Sequence, residues 1–435
     1  MGSSHPDFAR IEAKQEEPSA VFQLELFSMP PQLTAPSRPI VSLHPSNGRA
    51  ALTPRKTVAE FFAGIGLVRL ALEAEGWTIR FANDIDKDKL SIYSRNFPPD
   101  DFHLKDIGTV HTDEIPHVLL ATASFPCTDL SLAGERRGLK GEHSGTLWKF
   151  LEIVRLSNGN RPKFLLLENV AGFLSSHNGK DFRATISKLN ELGFDCDAFL
   201  VNAVHFVPQS RPRLFIFAVD KNVELPYTTV TAASSLQWHE ARPEQLLRAI
   251  KANEDLSWRL MCRLPSLPEP QSNLHQILER VPEESSLWWD FQRKRHLLSQ
   301  LSPRHKAVLQ HLQARRTVGV ATAYRRMRAG RIRAEIRCDG VAGCLRTPRG
   351  GSSRQILLFA GKGTVQVRHM TPREYARLQG VPDTFIIGDE VNKALFGFGD
   401  AVCVPAVRWL VRHVITPAAT SNPFSPRKAR GDHGR

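Results

Sequence analysis

The chain has 435 residues, 41% of them apolar, and 58 Lys and Arg stand against 44 Asp and Glu. That length suits one large domain with an insert, or two domains with tails, and a formal charge of +14 favours a polyanionic partner. No run of eighteen apolar residues and no charged-then-apolar N-terminus occurs, so a soluble, cytoplasmic protein without a membrane association is expected. The six cysteines (Cys127, Cys196, Cys262, Cys338, Cys344, Cys403) form no CxxC pair, which argues against a disulfide framework and a zinc site. Cys338 and Cys344, with no His beside them, read as structural, and no metal is expected.

Residues 1–50 hold seven prolines and little periodicity, the pattern of a disordered extension. Thr57–Phe62 is β-like and ends at glycines, Leu67–Glu75 has helical apolar spacing, and Thr78–Asn83 is a second strand. Gly64 and Gly66 lie between strand and helix, where a backbone without Cβ atoms can approach a ligand. A dinucleotide fingerprint wants a third glycine at position 69; Arg69 stands there and argues against NAD or FAD. Asp84, 24 residues after Glu60, can accept the hydroxyls of a ribose or cap the helix that starts at Lys87. Val118–Phe125 is an apolar strand running into Pro126-Cys127, and loop 128–146 follows with four glycines, Arg136 and Arg137. Phe164–Leu167 delivers Glu168 at a strand end, and Leu214–Val219 follows Arg213. This alternation implies an α/β fold with a doubly wound, mostly parallel sheet, whose ligands sit at the carboxyl ends of strands.

After Asp220 the rhythm breaks. Residues 221–337 read as a smaller inserted domain between the 51–220 portion and a C-terminal part, 338–415, that returns to it; 416–435 reads as a basic flexible tail. From Phe291 to Arg354 fourteen arginines and two lysines face one glutamate and one aspartate. A nearly single-sign, Arg-rich segment suits phosphate and guanine recognition, and Arg325, Arg326 and Arg328 are its densest cluster.

Phe125-Pro126-Cys127, Glu168-Asn169-Val170 and Gln209-Ser210-Arg211-Pro212-Arg213 supply, in order, a thiol, a carboxylic acid and paired guanidiniums. An attack on a pyrimidine needs that set: a thiolate for C6, an acid at N3 and a cation at O2. Here the chain resembles the DNA (cytosine-5-)-methyltransferase family of bacterial restriction-modification type. Ala59–Gly66, Asn83–Asp86 and Lys105–Ile107 resemble its first three motifs. Arg373–Gly380 and Gly397–Val402 resemble its ninth and tenth, so the likeness covers roughly 57–220 and 338–413.

The resemblance implies a Rossmann-like class I fold, S-adenosyl-L-methionine as methyl donor, and a target-recognition domain in 221–337. It implies a cofactor site at Phe62, Ala63, Gly64, Ile65, Gly66, Asp84, Ile85, Asp106, Ile107 and Ala401, with Ile85 on the adenine face. Cys127, Glu168, Arg211 and Arg213 are the implied catalytic group, and double-stranded DNA the implied partner, reached by Arg136, Arg137 and the insert arginines. A monomer, nucleoid-associated through its DNA and accompanied by a cognate restriction endonuclease in no stable complex, is expected. Three residues depart from the family pattern: Glu60 for the more frequent Asp, Thr128 for Gln, and Asp400 for Asn, which places a negative charge near the cofactor. The alternatives are a non-catalytic DNA-binding relative and an RNA cytosine-C5 methyltransferase.

Overall fold

The computed structural model describes residues 56–126, 145–328, 330–347 and 354–420. In the first half of the chain, β1 (Thr57–Phe61) leads to α1 (Leu67–Glu73), β2 (Thr78–Asp84) to α2 (Lys87–Tyr93), and β3 (Phe102–Leu104) to β4 (Leu120–Ser124). Then come α3 (Thr146–Leu156), β5 (Phe164–Val170), α4 (Lys180–Glu191), β6 (Phe194–Asn202) and β7 (Pro212–Asp220). These strands form one seven-stranded sheet in the order β3-β2-β1-β4-β5-β7-β6. The first five are parallel, whereas β7 runs antiparallel to both β5 and β6. The sheet is therefore mostly parallel, as the strand-helix rhythm implies.

Strand alternation feeds two cores. Phe164 and Leu166 of β5 point into one with α1, while Leu165 and Leu167 point into the other with α3 and α4. Strands buried on both faces need helices on both sides, so the sheet is doubly wound.

Downstream lie the short pair β8 (Thr229–Val230) and β9 (Leu260–Met261), with α5 (Glu244–Lys251) between them, then α6 (Phe291–Ser299) and α7 (Pro303–Gln313). Next come β10 (Gly319–Arg328), β11 (Arg331–Arg337), β12 (Ile356–Gly361) and β13 (Thr364–His369). They form a second, antiparallel sheet in the order β11-β10-β12-β13, with its own core under α6 and α7. Its two hairpins lie on either side of residue 338. A buried ion pair, Arg368 Nη1 to Glu374 Oε2 at 2.7 Å, joins β13 to the next helix, α8 (Pro372–Leu378).

α9 (Val391–Asp400), α10 (Val404–Leu410) and α11 (Thr416–Thr420) return to the first sheet. Val391–Thr420 contains a window apolar and long enough to cross a membrane, but 72% of that window is buried inside the molecule. Residues 416–420, expected as the start of a flexible tail, are helical: Thr416 accepts a hydrogen bond from Trp77 Nε1, and Ala418 and Ala419 are buried. The expected extension 1–50 lies outside the described residues.

Candidate active site

Five parallel strands end at the same edge of the sheet, and β7, being antiparallel, begins there. A cavity of about 630 Å³ opens along that edge. It is lined by Phe62–Ile65 after β1, Asp84–Asp86 around the end of β2, Asp106 and Ile107 after β3, and Ser124–Pro126 at the end of β4. Glu168–Val170 of β5, Arg213 of β7, and Phe396, Gly397 and Gly399–Val402 of α9 and its exit complete much of the wall. The volume suits a small-molecule site, and the crevice between β1 and β4 is the point where strand order reverses.

The turn after β1 is shaped by backbone constraint. Phe62 has φ 58° and Gly64 φ 59°, and a Cβ built on Gly64 would meet nothing nearer than the Phe62 carbonyl at 4.0 Å. A ligand can therefore approach that backbone closely. Gly66, at φ 85°, serves packing instead and does not line the cavity; a Cβ there would come within 2.4 Å of the Phe97 ring.

Asp84 locks this turn. Its carboxylate accepts from Gly64 N at 2.8 Å and Asp86 N at 2.9 Å. Asp86, not Asp84, caps α2, accepting from Asp88 N and Lys89 N. Ile85 is 66% exposed, an apolar side chain presented on a cavity wall. Asp106 accepts from Gly108 N at 2.6 Å and Lys149 Nζ at 3.1 Å, and these two bonds hold its carboxyl below the ordinary range. The negative charge of Asp400 is met by Lys89 Nζ at 3.1 Å, and both residues line the cavity.

At the other end of the cavity, Glu168 is buried and Arg213 Nε lies 3.1 Å from its Oε1. Burial raises the Glu168 pKa; Arg213 first, then Arg211 and the Ser124 hydroxyl, oppose the rise without cancelling it. Asn169 Nδ2 donates to the Phe125 carbonyl at 3.3 Å and so fixes the end of β4 where Cys127 follows in sequence. Cys127, Arg136 and Arg137 lie outside the described residues.

Arg211 is buried and is not part of the cavity wall. Its guanidinium donates to the carbonyls of Leu345 (2.8 Å), Gly399 (3.0 Å) and Ala401, tying β7 to the C-terminal segments. Sequence reasoning missed Cys344, which accepts from Arg211 Nη1 at 3.3 Å and lies 3.9 Å from Arg213 Nη2. Burial pushes this thiol up, but Arg211 and Arg213 hold it below the ordinary cysteine value. Lys89, Thr146, Lys149, Thr347 and Phe396 are further lining residues that no motif signalled.

Arg325, Arg326 and Arg328 lie on β10, away from the cavity wall, and alternation divides them. Arg326 stacks on Tyr324 and Arg328 Nε pairs with Glu335 at 2.9 Å, whereas Arg325 turns toward Trp289. Among the described residues no cluster of metal-ligating side chains occurs.

A doubly wound sheet with a cradle at its β1–β4 switch point and a buried acid-guanidinium pair beside it defines a class I methyltransferase architecture. Residues 56–416 match the family of C-5 cytosine-specific DNA methylases, and the chain belongs to that family, as a DNA (cytosine-5-)-methyltransferase. It is 25% identical over 363 residues to the Type II methyltransferase M.Bsp6I of Bacillus sp. (strain RFL6), covering 82% of this chain and 98% of that protein. To the Type II methyltransferase M.HhaI of Haemophilus parahaemolyticus it is 26% identical, covering 82% and 93% respectively. The crystal structure of the S. pombe Dnmt2 methyltransferase shares the fold at a TM-score of 0.54 and 16% identity, over 82% of this chain and 97% of that one.

Proposed function

We propose that the protein methylates C5 of a cytosine flipped out of a specific duplex DNA sequence, through a covalent bond between Cys127 and C6. The observation that carries this reading is the buried Glu168–Arg213 pair at the end of a cavity whose other end is the Gly64–Asp84 cradle. The cradle fits S-adenosyl-L-methionine: an open glycine backbone, a carboxylate positioned for ribose hydroxyls and the exposed Ile85 for an adenine face. Bound there, that cofactor supplies an electrophilic methyl group.

The protein's own residues do the rest. Cytosine C5 is a poor nucleophile within an aromatic ring. Addition of the Cys127 thiolate to C6 makes C5 enamine-like, while Glu168, whose burial favours its protonated form, donates to N3 and Arg213 holds O2. After methyl transfer a base removes the C5 proton, and Cys127 is expelled. Arg211 orients Arg213 from behind through β7. Stacked bases cannot reach such a site, so the cytosine must leave the helix, which costs a few kcal/mol.

In this reading residues 221–337 carry target recognition, and Arg136, Arg137 and the insert arginines Arg325, Arg326 and Arg328 contact DNA. The protein acts as a cytoplasmic monomer protecting DNA from a paired restriction endonuclease; its kinship with Type II enzymes supports that role. The test is trapping: a duplex with 5-fluorocytosine at the target should hold wild-type protein covalently, because fluorine cannot leave as a proton. Cys127→Ala should form no adduct while binding DNA and cofactor as before. An adduct with Cys127→Ala would assign the nucleophile elsewhere, and bisulfite sequencing of substrate DNA would read the methylated position.

A further inference from the structure

Alternation along three neighbouring strands aligns two guanidiniums and an imidazole that the cytosine cavity does not use. On β10, Ala321, Ala323 and Arg325 share a face. Leu358 and Ile356 share it on β12, with Arg354 continuing their alternation, as do Val365, Val367 and His369 on β13. The apolar members are buried beneath α6 and α7. Ile356 pairs with both Ala323 and His369, so the face ends with Arg325, Arg354 and His369 side by side. Trp289 closes that end: Arg293 of α6 lies 4.2 Å over its ring, Arg325 lies 5.9 Å from it, and the His369 ring meets it edge-on at 4.9 Å.

Among the described residues no carboxylate pairs with Arg293, Arg325 or Arg354, unlike Arg326 and Arg328, which face Glu335. The Nε atoms of Arg325 and Arg354 are buried without a hydrogen-bond partner. His369 is pushed down to about 4, by burial first and then by Arg354, Arg293 and Arg325. Like charges gathered without a counter-charge oppose folding, and an anion would relieve them.

We propose that Arg293, Arg325, Arg354 and His369, gathered around Trp289, bind a backbone phosphodiester of the DNA duplex and fix its position on the second sheet. Guanidinium forks match phosphate oxygens bidentately, and such contacts set register without reading sequence. The assignment rests on duplex DNA being the substrate, and it adds a grip separate from the cytosine cavity.

The test uses the full-length protein with Arg325→Gln, Arg354→Gln and their combination, measuring equilibrium binding of cognate and scrambled duplexes over a salt series. Each substitution should reduce the slope of log affinity against log salt by about one unit, and equally on both duplexes. DNA-free melting temperatures should hold or rise, because repulsion is relieved; a purely structural stack on Trp289 would instead lower them and leave the slopes alone. Slopes unchanged, or losses confined to the cognate duplex, overturn the phosphate site. If wild-type protein methylates cytosine while the slopes stay put, the site falls and the enzymatic reading stands. If it binds DNA with the predicted slope changes yet never methylates, the site stands and the enzymatic reading falls.

Discussion

Glu168 shows how much a single residue inherits from its surroundings. It leaves an apolar strand, so burial raises its pKa, and Arg213, Arg211 and Ser124 reverse only part of that effect. The neutral acid therefore persists to higher pH than in an exposed glutamate, and a group that must donate at N3 works on the acidic side of its pKa. Methyl transfer should fall as pH rises through that raised value. Glu168→Gln can still donate a hydrogen bond but has no proton to give, so the single-turnover rate should drop by roughly 10²–10⁴-fold and the basic limb should vanish. A variant that kept the wild-type basic limb would assign the limb to another group. Glu168 was legible because it ends a continuous apolar run. Cys344 was not, because the 131 residues separating it from Arg213 are bridged by folding and leave no local pattern.

Elements were legible where periodicity was clean. The sequence marks β1, β2, β4 and β5, and it marks β7 as a strand but not its antiparallel direction or its place between β5 and β6. It does not mark β6, whose Phe-Asp-Cys-Asp start hides a fully buried run: Asp197 is inside, bonded by Arg242 Nη2 at 2.7 and 2.8 Å. The dense arginine run 325–328 read as one cluster, yet period-two alternation sends its members to opposite faces. Arg211 is the clearest joint between elements. Arg211→Met should leave the Gly399 carbonyl without its donor, at about 1–3 kcal/mol, and take one of two donors from the Leu345 and Ala401 carbonyls, which keep Cys344 Sγ and Gln379 Nε2. Repacking of an apolar side chain offsets part of this, so a net loss of about 1–2 kcal/mol is expected in urea unfolding. An unchanged midpoint would mean the joint is held by Gln209 and Gln379, which bond the same segments.

At the scale of the whole molecule, an acid in the middle of the sheet couples stability to pH. Glu60 sits on β1, the strand flanked by both β2 and β4, with 1% exposure and no hydrogen-bond partner on either carboxylate oxygen. Desolvation raises its pKa to about 8, Arg69 offsetting only part of the effect. An unfolded chain would ionise the same group near 4.3. The unfolded state therefore releases this proton first, and the stability present below about pH 4 is lost progressively as pH rises toward 8. By the conversion of about 1.36 kcal/mol per pKa unit, the loss is on the order of several kcal/mol. Glu60→Gln keeps the shape and cannot ionise, so it should flatten this part of the stability curve and raise the melting temperature most at pH 8 and above. Chemical unfolding of both proteins from pH 5 to 9, in the absence of ligand, measures the difference directly. Parallel curves across that range would show that Glu60 ionises in the folded chain as it does in the unfolded one, and that the burial on β1 is relieved by a partner.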